Sequence, residues 1–266
     1  MDKIIKRRET KPVFLGGVQI GGGAPVIVQS MTCTDTGDIQ STIAQIRALE
    51  AAGCEAVRVA VPDMDAASAL SKIKKNINIP LIADIHFDHR LALAAMKQGV
   101  DGVRINPGNM GKAKITEIVR SAKERGTVIR IGVNAGSLEK DILAGHGGPT
   151  ADALVESAMR NVALLEGMDF TNIKISLKSS DVVTTIQAYR AISENCSYPL
   201  HLGVTEAGTM MNSAIKSSLG IGFLLYEGIG DTLRVSLTGD PVAEMRIAFG
   251  ILRSLGIRKV GPDIIA

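Results

Sequence analysis

The sequence contains no tryptophan, and only five phenylalanines and three tyrosines in 266 residues. Single-stranded nucleic acid is gripped on aromatic platforms, so that class of function has little to work with. Cysteine is scarce as well: Cys33, Cys54 and Cys196 are odd in number, far apart and never in a CxxC arrangement. Neither a disulfide framework nor a zinc knuckle is built that way, and three plain thiols are expected. Charge of neither sign dominates, the net being +3, which argues against a polybasic arm or an acidic disordered tail. No apolar run approaches a membrane span, and the charged opening MDKIIKRRET lacks a following apolar signal core. A soluble, cytoplasmic protein with no nucleic-acid or membrane partner is expected. What the chain does have is 45% apolar residues, enough core for one large domain or two small ones.

One pattern recurs. A short β-branched run ends in a polar residue, a segment of helical period follows, and glycine or proline restarts the cycle. Eight such runs, at 26–30, 56–60, 81–85, 102–105, 128–133, 173–177, 200–204 and 232–236, are continuous rather than alternating, as in strands buried on both faces. Between them, Asp38 is placed to cap a helix carrying Ile39, Ile43 and Ile46 that Gly53 ends. Leu91 and Met96 before Gly99, and Ile115, Ile118 and Ala122 before Gly126, mark two more. Leu154, Ala158, Val162 and Leu165 mark another, and Val182, Ile186 and Tyr189 the next. Asp240 and Pro241 open a last helix that Gly256 closes. Eight strand–helix units of this length predict an α/β fold, a parallel (β/α)8 TIM barrel over residues 1–266. A doubly wound open sheet is the alternative. Residues 13–20, centred on Gly16 and Gly17, predict a β-hairpin across the barrel bottom. The Gly-rich stretch 144–149 is expected to be a loop able to move over the site.

A barrel works at the C-terminal ends of its strands. Standing there, strand by strand, are Gln29 to Thr32; Arg58; Asp84 and His86; Arg104, Asn106 and Asn109; Arg130 and Asn134; Ser176 and Lys178; His201, Thr205 and Glu206; Arg234 and Ser236. The five cations Arg58, Arg104, Arg130, Lys178 and Arg234 are costly inside a barrel unless paired. Some pair with Asp84, Glu206 or Asp231 in the structural reading. As a set they outnumber these carboxylates and suit phosphate oxygens, with Asn134 and Ser236 as neutral donors. Glu206 is either an ion-pair partner or a tuned acid–base. Lys178 is also placed for Schiff-base chemistry, which would make the chain a lyase of phosphorylated sugars. His86 and His89 lack a third metal ligand at fixed offset. Gly21 to Gly23 fits neither a Walker nor a dinucleotide loop and reads as a turn.

Taken together, the runs APVIVQSMT, VRVAVPD, LIADIHFD, RINPGN, IRIGVNAGSLE, ISLKSSD, YPLHLGVTEAG and EGIGDTLRVSLTGDP resemble the 4-hydroxy-3-methylbut-2-enyl diphosphate synthase family, iron–sulfur enzymes of the non-mevalonate isoprenoid route. The barrel is also similar to those of pterin-binding synthases, but RINPGN with LGVTEAG favours the former. The resemblance implies 2-C-methyl-D-erythritol 2,4-cyclodiphosphate as substrate, reductively opened with loss of water. It implies two electrons delivered through a [4Fe–4S] cluster from ferredoxin or flavodoxin. It implies diphosphate binding by Arg58, Arg104, Arg130, Asn134, Lys178, Arg234 and Ser236, and places the family's barrel glutamate on Glu206 as proton donor or polariser. Family members carry a further domain whose three cysteines, opening with a CPSC-like motif, and a glutamate hold the cluster. This sequence stops at GPDIIA, so the expectation is the barrel domain alone, with no cluster or other metal bound and no turnover by itself. A homodimer is implied too, one subunit's cluster domain lying over its partner's barrel.

Overall fold

The first strands, β1 (Val13–Leu15) and β2 (Val18–Ile20), form an antiparallel hairpin pairing Val13 with Ile20 and Leu15 with Val18. The computed structural model describes residues 5–86, 88–205 and 208–258, without the side chain of Asn109. Gly16 and Gly17 both have positive φ, 55° and 85°, as the tight primed turn requires. The hairpin buries Val13, Leu15 and Ile20 against Ile27, Ala56, Ile82 and Val128, the lowest inward positions of the barrel strands. It plugs the bottom, as the sequence predicts.

Eight parallel strands follow: β3 (Ile27–Met31), β4 (Ala56–Ala60), β5 (Leu81–Asp84), β6 (Gly102–Ile105), β7 (Val128–Asn134), β8 (Ile173–Lys178), β9 (His201–Leu202) and β10 (Thr232–Leu233). Hydrogen bonds link them in chain order from β3 to β8, then β10 pairs with both β3 and β9. A parallel bridge from Ile175 to Leu200 completes the circle. A closed circle of this order is a TIM barrel and rules out the doubly wound sheet. The last two strands are shorter than their apolar runs. Their ladder stops at Gly203, where the Lys178 side chain and the Arg234 carbonyl crowd the backbone; a Cβ there would lie 2.7 Å from Lys178 Nζ and 2.9 Å from that carbonyl.

The outer layer comprises α1 (Ile39–Ala51), α2 (Met64–Lys74), α3 (His89–Lys97), α4 (Lys112–Arg125), α5 (Lys140–His146), α6 (Ala151–Glu166), α7 (Val182–Asn195), α8 (Met210–Tyr226) and α9 (Val242–Ser254). Asp38, Asp63, Asp88, Thr150 and Asp181 each accept a backbone N–H of the first turn, satisfying donors that a helix leaves open. Two expectations change. Residues 144–146 of the Gly-rich stretch belong to α5, which ends only where Gly147 turns left-handed at φ 67°. Asp240 caps Val242 through its carboxylate, and regular helix begins after Pro241 rather than at it, because a tighter first turn runs from Asp240 to Glu244.

Candidate functional site

Strand side chains alternate, so residues two apart share a face. In-register pairs such as Ile82 with Gly102, Asp84 with Arg104, Arg104 with Arg130 and Arg130 with Lys174 therefore aim one stripe of each strand inward. At the upper end this stripe lines a cavity of about 440 Å³ bounded by Arg58, Asp84, His86, Arg104, Asn134, Ser176, Lys178, Thr205, Arg234 and Ser236. A second cavity shares Asn134, Lys178 and Thr205 and extends over the backbone of Ala135, Gly136 and Ser137. Of the sequence-predicted residues, Arg58, Arg104, Asn134, Lys178, Arg234 and Ser236 meet at the mouth. Arg130 does not line it: it is the third residue of β7, only 2% exposed, two pleat repeats below Asn134. Glu206 lies outside the described residues.

Two carboxylates organise the cations. Asp84 receives Arg58 Nη1 at 3.3 Å on one oxygen and Arg104 Nη1 at 3.3 Å on the other, and His86 Nε2 stands 3.6 Å away. Burial alone would raise the Asp84 carboxyl. Arg58, the His86 hydrogen bond, Arg104 and Arg130 overcome it and hold the group ionised, well below the usual carboxylate range. Arg104 Nη2 also donates to the Gly132 carbonyl at 3.0 Å, and with its amide oxygen turned inward Asn134 accepts from the same nitrogen at 2.8 Å. In that orientation Asn134 holds Arg104 instead of offering its own donor to the cavity. Glu244, 1% exposed, accepts from Arg234 Nη2 at 3.0 Å and Nε at 3.3 Å, and from Ser30 Oγ at 2.8 Å. Between Arg58 and Arg234 lies the Met31 thioether, 3.0 and 3.7 Å from their guanidinium nitrogens.

The pairing foreseen for these cations is thus partly structural. Asp84 serves two of them, whereas Asp231 pairs with Arg7 at 3.0 Å and with none of the five. Glu244 was not among the candidates. The signal was its place on the apolar stripe of α9, four and eight residues before the buried Ala248 and Leu252. Gly132 and Gly203 were missed too: a side chain at either would overlap Arg104 or Lys178. Among the described residues, five cations face Asp84 and Glu244, and neither carboxylate is paired to Arg130 or Lys178. Burial first, then the four arginines, push the Lys178 ammonium well below its usual range. Burial, partly offset by Asp84, brings even Arg58 down to about 10. Counted over the described residues, these cations outnumber the carboxylates that face them.

The histidines of the 84–89 run part company: His89 Nδ1 and Nε2 face Asp88 and Glu117 at 3.6 and 3.7 Å, away from His86. The cysteines are dispersed as well. Cys33 is exposed and follows β3, while Cys54 is buried just before β4, at the opposite end. Burial pushes the Cys54 thiol up to about 12. Cys196 follows α7 and lies over the Ile192 carbonyl at 3.6 Å. No three metal-ligating side chains gather among the described residues, and none of their helices is long and apolar enough to cross a membrane.

A family model described as GcpE TIM-barrel domain matches residues 10–249. A relative from Thermodesulfovibrio yellowstonii, named 4-hydroxy-3-methylbut-2-en-1-yl diphosphate synthase (flavodoxin), is 58% identical over 99% of this chain and 76% of its own length. One of the same name from Nitratidesulfovibrio vulgaris is 57% identical over 98% of this chain and 68% of its own. Among solved structures, a type I 3-dehydroquinate dehydratase from Clostridium difficile superposes with a TM-score of 0.67 at 14% identity, covering 93% of this chain and 98% of that one. A dihydropteroate synthase from Stenotrophomonas maltophilia gives 0.65 at 11% identity, with the same coverage of both chains. At such identities these two share the barrel only.

Proposed function

The chain belongs to the GcpE TIM-barrel family, and from that premise we propose that it is the substrate-binding barrel of a 4-hydroxy-3-methylbut-2-en-1-yl diphosphate synthase, an oxidoreductase of isoprenoid synthesis. The substrate in this reading is 2-C-methyl-D-erythritol 2,4-cyclodiphosphate. Two electrons and two protons open its ring, giving 4-hydroxy-3-methylbut-2-enyl diphosphate and one water. The observation that carries the reading is the convergence of Arg58, Arg104, Lys178 and Arg234 on one cavity with two carboxylates to share. A diphosphate supplies the missing negative charge and offers oxygens in the geometry guanidinium forks prefer. Ser236 adds a neutral donor, Asn134 holds Arg104 in place at the cavity wall, and Arg130 strengthens the field from below. Glu206 is proposed as the proton donor or polariser at the departing hydroxyl. Glu206→Gln is expected to bind substrate near normally and turn over much more slowly in an enzyme with its electron source; normal turnover would leave it a structural part.

The relatives' names specify flavodoxin, and we take flavodoxin as donor, ferredoxin being the alternative. The [4Fe–4S] cluster of this chemistry does not fit the residues present: three cysteines at separate places, one with its thiol raised by burial, are not a ligand set. We propose that its ligands belong to the part of the family's proteins beyond these 266 residues, since the two relatives align over 76% and 68% of their lengths. Cytoplasmic location is part of the same reading.

A homodimer is proposed as the working unit, with α8 as its seam. Met211, Ile215, Leu219 and Phe223 recur every fourth residue at 70%, 52%, 58% and 45% exposure, flanked by Met210 and Tyr226. Val183 on α7, 60% exposed, adds to this apolar surface. A row spaced every fourth residue runs obliquely to the helix axis, and two copies of such a ridge pack into each other's grooves across a two-fold axis.

Calorimetric titration of the chain with the cyclic diphosphate, at two salt concentrations, tests the function. Saturable binding that weakens with salt is expected; a folded sample that binds nothing would overturn it. The Schiff-base reading of Lys178 is not favoured, and borohydride reduction with a candidate carbonyl substrate should leave the lysine unlabelled.

A further inference from the structure

The mouth of the barrel places one side chain of a different chemistry between its cations. Met31 closes β3 in register with Arg58 on β4 and is partly exposed. Its sulfur receives Arg58 Nη2 at 3.0 Å and Arg234 Nη1 at 3.7 Å. Both guanidinium groups also hold a carboxylate, Arg58 meeting Asp84 at 3.3 Å and Arg234 meeting Glu244 at 3.0 Å. A thioether is only a weak acceptor. It therefore separates two like charges while leaving their N–H groups free to turn to a stronger ligand, such as a diphosphate in the cavity they line.

That balance depends on the oxidation state of the sulfur. Methionine sulfoxide is polar, and its oxygen is a far better acceptor than a thioether. Added on the side facing Arg58, the oxygen would fill most of the 3.0 Å between sulfur and nitrogen. The guanidinium would then have to shift, disturbing its pairing with Asp84. Added on the side facing Arg234, where the contact is looser, the oxygen would claim an N–H of that group. Either epimer takes a donor from the ligand and sets a partial negative charge beside the cavity. The surroundings also favour the oxidation itself. Arg58, Lys178 and Arg234 line the adjoining space, so fixed donors stabilise the negative charge that develops on a peroxide's departing oxygen. Met96 and Met245, each 1% exposed, are sealed in the core, while the open Met64, Met210 and Met211 do not border the cavity.

We propose that Met31 is a peroxide-sensitive modification site whose oxidation weakens diphosphate binding, an inference that rests on the diphosphate reading of the cavity. The sulfur lone pair attacks one oxygen of hydrogen peroxide and the O–O bond breaks. The other oxygen leaves as hydroxide and receives the proton of the transferred one, so that sulfoxide and water are formed. The sulfur loses two electrons and the peroxide gains them. Methionine sulfoxide reductases, one for each epimer, reverse the change. A bound diphosphate fills the space beside the sulfur and shields it.

The test treats the chain with hydrogen peroxide, follows each methionine by peptide mass spectrometry, and titrates the cyclic diphosphate before and after. Met31 is expected to gain an oxygen well before Met96 and Met245, and more slowly with diphosphate present. Affinity should fall roughly tenfold to a hundredfold, the range for one charge-assisted hydrogen bond, and return after reductase treatment. Met31→Leu is nearly isosteric and keeps the open methionines and the exposed thiol of Cys33. Whatever its starting affinity, treatment should not lower it. Equal losses in both proteins would overturn the proposal, as would a Met31 sulfoxide that leaves affinity unchanged or a Met31 that stays reduced until the core methionines oxidise. If Met31→Leu does not fold, a crystal structure of the treated wild-type chain decides. A sulfoxide oxygen bonded to Arg58 or Arg234 supports the proposal, and one turned away from both overturns it. An untreated chain that binds no diphosphate would instead count against the proposed function, and the sulfoxide and its arginine contacts would still be read by mass and by crystal structure.

Discussion

Arg104 shows how much a single guanidinium can be asked to do. It spans Asp84, the Gly132 carbonyl and Asn134 and still borders the cavity. Arg104→Ala should weaken diphosphate binding by about 1.5–3 kcal/mol, the scale of a charge-assisted hydrogen bond. Unchanged affinity by calorimetry would remove it from the site. Gly132→Ala tests the same group from its other side, because the added methyl would overlap Arg104 Nε. Roughly tenfold weaker binding, about one hydrogen bond, is expected from displacement alone. Lys178 makes the site pH-dependent. Burial and the neighbouring arginines depress its pKa in the free protein, and a bound dianion raises it again. Binding therefore takes up a proton between the free and bound values, and affinity declines as pH rises through that window. Calorimetry in two buffers of different ionisation enthalpy reads the uptake, and Lys178→Met should lose that contribution. For folding the sign reverses. The unfolded lysine keeps its proton up to about 10.5, so in the ligand-free protein this group favours the folded state increasingly as pH rises from its folded value towards that limit.

Among the elements, α9 has the most to answer for. Its first turn supplies Glu244, which grips Arg234 on the far side of the barrel wall and ties Ser30 of β3 to both. Removing one partner of a buried pair strands the other, so Glu244→Ala should cost about 3–5 kcal/mol by urea unfolding. Arg234→Met in the same chain should recover part of it; a stability unchanged by the first substitution would show that the pair holds nothing. Glu244 also marks where sequence patterns stop informing. Strands buried on both faces announce themselves as apolar runs, and six of the eight lie where those runs do, within one residue. For β9 and β10 the runs overshoot, since an apolar pattern records burial and not where the ladder of hydrogen bonds stops. Helix α8, apolar nearly all round, has no clean polar face to betray a period, and in α2 the buried face is mostly alanine, a weak apolar signal although Asp65, Ser68 and Lys72 point outward. The cations at the strand ends were legible because charge at a buried address is conspicuous. Their partners were not, because an acid on a helix looks like any surface acid until the packing is known.

At the scale of the whole molecule, most of the exposed large apolar side chains among the described residues lie on α8. Ile215→Asp combined with Leu219→Asp should convert a dimer to a monomer in sedimentation while leaving diphosphate titration intact, since neither residue borders the cavity. A wild-type chain that sediments as a monomer at all concentrations would reject the seam. The opposite end of the barrel carries a different consequence. The hairpin leaves Leu15 and Ile20 essentially without solvent and closes the tube beneath the site. A vessel shut at one end has a single doorway, so substrate, expelled water and product must all use the mouth in turn. Any domain that settles over that mouth to deliver electrons then imposes a queue: substrate enters first, the cover closes, and product leaves only after it lifts.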